Sequence, residues 1–404
     1  MLFQLALRNV LRQKFRTGMT LAAIIFGVMG LILAGGFVKD TYVQLGEVII
    51  HSQTGHIQLF KKGFLEKGSR SPELFLIDTP DVLAKQISAN PAVDSVMGRI
   101  YFSGLLNNGK RDLAIIGEGV EPDKETKLGS FIMITAGRHL SNKDAEGILI
   151  GQGVAKNLGL NPGDRVTLVL TATEGATNTL DFEVIGIFQS FSKDFDARAV
   201  RIPLRAAQEL LQTQGANVIV VGLHKTEDTD PVVAALTPQF EGSDYTIRSW
   251  HALSDFYDKT VQLYDRQFGV LQFIILVMVL LSVTNSVNMS VFERQGEFGT
   301  MQALGNRSRD IIRLIVLESS IIGIAGGLLG LVIGVLAALG ISAIGIPMPP
   351  PPNANVGYTA YIRLETVTLI SSTLVGFIAT VLASIVPAYR VTRLQVVDAL
   401  RQNI

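Results

Sequence analysis

Four stretches of this chain are long and apolar enough to cross a lipid bilayer, and no other feature limits the fold as tightly. Bilayer hydrocarbon is about 30 Å thick and a helix rises about 1.5 Å per residue, so about 20 apolar residues make a span. The first stretch, TGMTLAAIIFGVMGLILAGGFV, is uncharged between Arg16 and Lys39. It is too long for the apolar core of a signal peptide, and no A-x-A cleavage pattern occurs before Lys39. The spacing predicts spans at 17–39, 267–292, 319–346 and 366–389. A Pro-rich segment, PMPPPPNANVGY, divides the last long apolar run, because proline cannot continue a helix; it sits in an expected outer loop, 347–364.

Composition agrees with membrane segments. Mean hydropathy is +0.36 and 17% of residues are charged, values unusual for a soluble protein. The 35 basic and 35 acidic side chains cancel, so there is no nucleic-acid footprint. With no Cys, disulfides, thiolate metal sites and a lipid-modified N-terminal Cys are excluded.

Orientation follows from Lys and Arg near the span ends. Arg8, Arg12, Lys14 and Arg16 precede the first span without an acid among them. Arg294, Arg307, Arg309 and Arg313 lie between the second and third, and Arg390, Arg393 and Arg401 follow the fourth. The expectation is that both termini (1–16 and 390–404) and the 293–318 connector are cytoplasmic. Residues 40–265 are then extracytoplasmic, a region large enough for its own core in one or two subdomains.

That outer region carries mixed α and β signals. Tyr101–Leu106 and Asp112–Ile116 flank Asn107–Lys110, a hairpin turn with Asn-Gly. Gly147–Leu158 reads as a short helix before a Pro-Gly-Asp turn and a strand. Phe182–Phe188 and Val218–Leu223 read as strands. Helical stalks are expected to run from the first span towards Ser52, and from Ala252 into the second.

Few residues suggest chemistry. GLLNNGKR, 104–111, approaches a phosphate-binding loop, but Arg111 stands where Ser or Thr must ligate Mg²⁺. His51 and His56 are spaced poorly for one helix face, and Asp194 with Asp196 reads as a solvated turn. The expectation is no catalytic, cofactor or metal site in this chain. Trp250 reads as a core or interface residue. Gly323, Gly326, Gly327, Gly330 and Gly334 place small residues at helical spacing, which allows close helix packing, either within the chain or across a dimer. The segment 1–16 is an amphipathic helix whose Arg8, Arg12 and Arg16 suit contact with the inner leaflet.

The connector itself is the most informative segment. Phe298, Met301 and Leu304, then Ile311, Leu314 and Ile315, recur at helical spacing, and Gly305-Asn306 marks a break between two helical pieces. A short helix held against the membrane in this way has the shape needed to dock on a cytosolic partner.

ERQGEFGTMQALGNRSRDIIRLIVLES resembles the segment that marks the FtsX/MacB/LolC-LolE family of ABC transporter permeases, E-R-x-x-E-I-G-x-x-x-A-L-G. Glu293, Arg294, Glu297, Gly299, Ala303, Leu304 and Gly305 carry the match, while Gly296 and Gln302 stand where many members have basic residues. The tail PAYRVTRLQVVDALR, 387–401, and the opening ALRNVLRQKFRT, 6–17, are similar to the family's ends. The resemblance implies an α-helical membrane protein with four transmembrane helices, plus a large α+β MacB-like periplasmic core domain between helices 1 and 2.

It also implies a non-catalytic permease subunit in the bacterial inner membrane. That subunit is paired with a second, identical or paralogous one and driven by a cytosolic ABC ATPase dimer, which uses the ATP and Mg. The seven matching residues would be the ATPase-coupling element. The leading expectation is release of a lipoprotein or hydrophobic cargo. MacB-like export with a periplasmic adaptor, and FtsX-like mechanotransmission to an outer enzyme, are the alternatives.

Overall fold

The computed structural model describes residues 2–68, 71–128, 132–172, 175–190, 192–349 and 357–391. Arg393, Arg401 and the end of the tail motif lie outside them. The chain divides into two units, one built around the spanning helices and the other around Val43–Lys259.

Among the described residues, four helices are long and apolar enough to cross a membrane. The first spanning helix is Lys14–Ile49, the second Asp255–Glu293, the third Ser308–Ile344 and the fourth Thr366–Val391. Two shorter helices accompany them. The N-terminal helix is Leu2–Arg12, and the elbow helix, Gln295–Ala303, follows the second span.

The helices pack through small residues. A β-carbon at Gly326 would lie 2.9 Å from Ile24, at Gly330 2.9 Å from Val28, and at Gly334 3.0 Å from Ile32. These glycines form the groove that receives the first spanning helix. Gly323 and Gly327 sit on another face, where a β-carbon would meet Thr380 and Thr373, each at 3.2 Å. The five glycines thus serve two neighbours within one chain, each approach too close for a larger side chain without displacement. Ile24, Val28 and Ile32 are fully buried there with Val279, Val283, Ala379 and Ala383.

The outer unit is a mixed sheet. Its strands are β1 Ile57–Lys61, β2 Val93–Asn107, β3 Asp112–Val120, β4 Met133–Gly137, β5 Gly147–Gly151, β6 Arg165–Thr171, β7 Thr177–Gln189, β8 Ala199–Pro203, β9 Val218–Leu223 and β10 Tyr245–Ser249. Their order is β10-β1-β9-β2-β3-β8-β5-β7-β4, with β6 bridging β2 and β7. Pairs β3–β8 and β5–β7 are parallel.

The 15-residue β2 links the two largest apolar cores of the sheet. Its first half pairs with β9, over a core of Ile57, Leu59, Val96, Ile219 and Val221. Its second half pairs with β3, over a core of Ile100, Phe102, Ile150, Phe182 and Ile202. The hairpin turn closes at Asn107–Asp112, where Asn107 donates to Asp112 at 2.6 Å and Gly109 has φ +81°. Lys110 is exposed on that turn.

Two local readings change. Gly147–Gly151 is a strand, and only Gln152–Leu158 is helical. GILIG is buried throughout, lying between β8 and β7, and a central strand shows no alternation to distinguish it from a buried helix. Asp196 is buried, not solvated; both its carboxylate oxygens accept from the Ser190 backbone N–H, at 3.0 and 3.1 Å.

Four charged residues are buried together in this unit. Arg99 donates to both oxygens of Glu125, at 3.0 and 2.6 Å, and Arg201 donates to Glu118 at 2.8 Å and lies 3.3 Å from Glu125. The same arginines donate to the Gln53 and Ser52 carbonyls, in the π-helical turn Ile50–Thr54 that follows Ile49. Helix ends leave carbonyls without intrahelical partners, and the two guanidinium groups satisfy them. Burial alone would loosen the Arg99 proton, yet the Glu125 carboxylate outweighs it and raises the pKa. Burial likewise opposes ionisation of Glu125, and Arg99 with Arg201 reverses this and holds it below the usual carboxylate range.

Candidate functional site

The elbow helix is tied back to the helices around it by a chain of ion pairs. It ends in a helix-stop built on Gly305, which adopts φ +94°. There the Asn306 N–H donates to Met301 O at 3.0 Å and the Gly305 N–H to Gln302 O at 2.9 Å. A β-carbon is costly in that left-handed conformation, so Gly suits it. The third span then restarts from Arg307, whose backbone N–H donates to Asp310 at 3.1 Å.

At the other end, Arg294 is buried and sits at the centre of the network. Its Nε donates to Glu297 Oε2 at 2.9 Å, and its Nη1 to the two oxygens of Glu318 at 3.1 and 2.9 Å. Glu318 also accepts from Asn9 at 2.7 Å, and Glu297 from Arg12 at 2.9 Å. The chain of contacts therefore starts and finishes on the N-terminal helix. The Arg294 guanidinium lies 5.0 Å from the Phe298 ring centre, a cation–π distance. Glu293 pairs separately with Arg16 at 2.5 Å.

Electrostatics follow the geometry. Burial would disfavour the charged Arg294, but Glu318 and Glu297 raise its pKa. Burial likewise opposes ionisation of Glu297, and hydrogen bonding to Arg294 with the charge of Arg12 lowers its pKa. Beneath the pairs lies an apolar cluster of Ala6, Val291, Phe298, Ile311, Leu314 and Ile315. Beside them is a cavity of about 40 Å³ with a mixed lining, in which Thr20, Ser286, Arg294 and Glu318 stand beside Val283, Val287 and Ile322.

The residues singled out in the sequence divide into two groups here. Arg294, Phe298 and Gly299 are buried and hold the helix down. Ala303, Leu304 and Gly305 are exposed, with Leu304 81% exposed despite its place in the apolar spacing. It falls at the end of the helix, past the last turn that packs. Arg12 and Arg16 turn to Glu297 and Glu293, while Arg8 is exposed. Glu318 and Asn9 were missed. A lone carboxylate at the edge of an apolar span was a signal for Glu318; nothing local pointed to Asn9.

Elsewhere, His56 accepts from the Leu223 N–H and faces Thr226 at 3.2 Å. Burial, with His51 nearby, pushes its pKa down to about 4. Trp250 is buried, stacked on His251 and in edge contact with Tyr257. Among the described residues no group of three His, Asp or Glu is placed to hold a metal ion.

Residues 17–239 match the MacB-like periplasmic core domain, and residues 269–396 match the FtsX-like permease C-terminal family. An uncharacterized ABC transporter permease of Methanocaldococcus jannaschii is 25% identical over 98% of this chain and 96% of its own. The lipoprotein-releasing system transmembrane protein LolC of Xylella fastidiosa is 24% identical over 74% of this chain and 76% of its own. The macrolide export ATP-binding/permease protein MacB of Neisseria meningitidis is 24% identical over 83% of this chain and 52% of its own.

Proposed function

The chain belongs to the LolC/LolE, MacB and FtsX family of ABC transporter permeases, and from that premise we propose that its elbow is where a cytosolic ATPase drives it. The observation that carries this reading is the two-sided elbow helix. Arg294 and Glu297 fasten it to the N-terminal helix and the third span, while Leu304 is left 81% exposed at its tip. A partner that presses on Ala303, Leu304 and Gly305 then moves several helices together, because the ion pairs and the Phe298 cluster leave the elbow little independent freedom. Glu293 with Arg16 adds the start of the first span to the same body.

In this reading both termini and the elbow are cytoplasmic, as the Lys and Arg placement favours. The membrane is a bacterial inner membrane and the MacB-like domain is periplasmic. A second permease subunit completes the complex, and ATP with Mg belongs to the ATPase. The cargo is a lipoprotein or another hydrophobic molecule leaving the membrane, a reading supported by the similarity to lipoprotein-releasing relatives. The similarity to MacB supports a second reading, export of a periplasmic substrate through a partner conduit.

The test is reconstitution of the chain with its ATPase in proteoliposomes. ATP turnover and lipoprotein release are measured for wild type and for the Glu293→Gln, Glu297→Gln double variant. Turnover that persists while release falls is the expected outcome. Release that stays coupled in the variant removes the elbow from the mechanism. Recovery of a periplasmic adaptor with the complex, and no release, selects the export reading.

A further inference from the structure

A groove of about 640 Å³ runs between the start of the first spanning helix and the second, lined by Arg12, Lys14, Phe15, Met19, Asn285 and Met289 among others. We propose that it holds an anionic phospholipid, with the headgroup phosphate on Lys14 and Arg12, the glycerol-ester region beside Phe15, Met289 and Asn285, and the acyl chains from Met19 inward. The assignment rests on the reading that this end of the spans lies at the membrane–water boundary.

Three observations point to this ligand. The rim is cationic: Arg12, Lys14 and Arg16 fall within five residues, against the two carboxylates of Glu297 and Glu293. Among the described residues, the Lys14 and Asn285 side chains have no ion-pair or hydrogen-bond partner. Asn285 lies on a membrane-spanning helix, where an amide without a partner is costly, and the lipid's ester oxygens would accept from it. Away from the rim, apolar Phe15, Met19 and Met289 stand open at 85%, 62% and 53% exposed, beside the hydroxyls of Thr20, Ser282 and Ser286. A free phosphate would meet only the cationic rim, whereas a phospholipid reaches both parts of the groove.

The site also has a regulatory consequence. Arg12 and Arg16 already serve Glu297 and Glu293 on the elbow. A phosphate in the groove competes with those carboxylates for the same guanidinium groups, so lipid occupancy loosens the elbow.

Native mass spectrometry of the full chain released from nanodiscs of phosphatidylcholine and phosphatidylglycerol tests the proposal without nucleotide, so its failure leaves the coupling reading untouched. Wild type is expected to retain phosphatidylglycerol at least three-fold over phosphatidylcholine. Lys14→Gln and, separately, Asn285→Leu should each lower that retention at least three-fold, and Lys39→Gln should not. Lys14 is exposed, so its variant folds as wild type does. Equal retention of the two lipids, unchanged retention in both variants, or displacement by millimolar inorganic phosphate would overturn the assignment. So would disulfide cross-linking of Asn285→Cys between two copies in membranes, clean to read because the chain has no other Cys.

Discussion

Two clusters of arginine and carboxylate stand in this molecule, and they are built to opposite ends. In the outer unit Arg99, Arg201, Glu118 and Glu125 are all buried and hold the carbonyls of the turn after Ile49. In the elbow the Arg294–Glu318 pair is buried as well, but the outer link is wet, with Glu297 40% exposed and Arg12 69% exposed. A desolvated ion cluster is costly to break because each lost partner leaves a charge stranded without water. A half-wet chain of pairs re-forms with water or another ligand at small cost. The first arrangement suits a joint that keeps its shape; in the second the buried Arg294–Glu318 pair holds the elbow to the third span, and only the wet Arg12–Glu297 link exchanges readily.

The largest expected effect tests the buried cluster. Arg99→Met leaves Glu125 with Arg201 alone, strands the Gln53 carbonyl, and should destabilise the outer unit by about 3–5 kcal/mol. Fluorescence of Trp250, the chain's one Trp and a buried residue of that unit, reads the thermal transition. A shift no larger than that of an exposed variant such as Lys110→Gln would break the contrast.

The second prediction concerns acid. His56 is held at about 4 against an ordinary 6.5, so below pH 6.5 the unfolded chain takes up a proton that the folded one refuses. Stability is fully present above pH 6.5, falls as pH drops, and levels near pH 4, a loss of roughly 3 kcal/mol at most. His56→Gln should flatten denaturant-unfolding midpoints across that window; an unchanged slope refutes the assignment.

Arg294→Gln is expected to cost about 1.5–3 kcal/mol, since its hydrogen bonds join charged groups in a partly wet site. The effect should appear as proteolytic sensitivity at the elbow, with the Trp250 transition unmoved. Gly330→Val comes next: its side chain meets Val28 and forces the first and third spans apart, at about 1–3 kcal/mol in detergent unfolding. Arg12→Gln is the smallest, at most about 1 kcal/mol, and its pair should weaken further in high salt.

How much of this was legible beforehand depends on range along the chain. The spans could be read because hydropathy is a local sum, and the elbow break could be read because Gly305-Asn306 is a local stop. GILIG reads as helix from the sequence and is a strand, because a strand buried on both faces has lost the alternation that marks strands. The exposure of Leu304 was equally hidden, since spacing says which residues share a face but not where a helix's packing ends.

The sequence alone determined four spanning helices, a mixed outer domain between the first two, and a charged connector unlike a passive loop. Only the tertiary structure decided that Asn9 meets Glu318 across 309 positions and Arg12 meets Glu297 across 285. It also decided that one glycine run faces two different helices. The physical reason is that side-chain pairing depends on how helices and strands are brought side by side, and no local pattern in the chain records which distant residue will stand opposite.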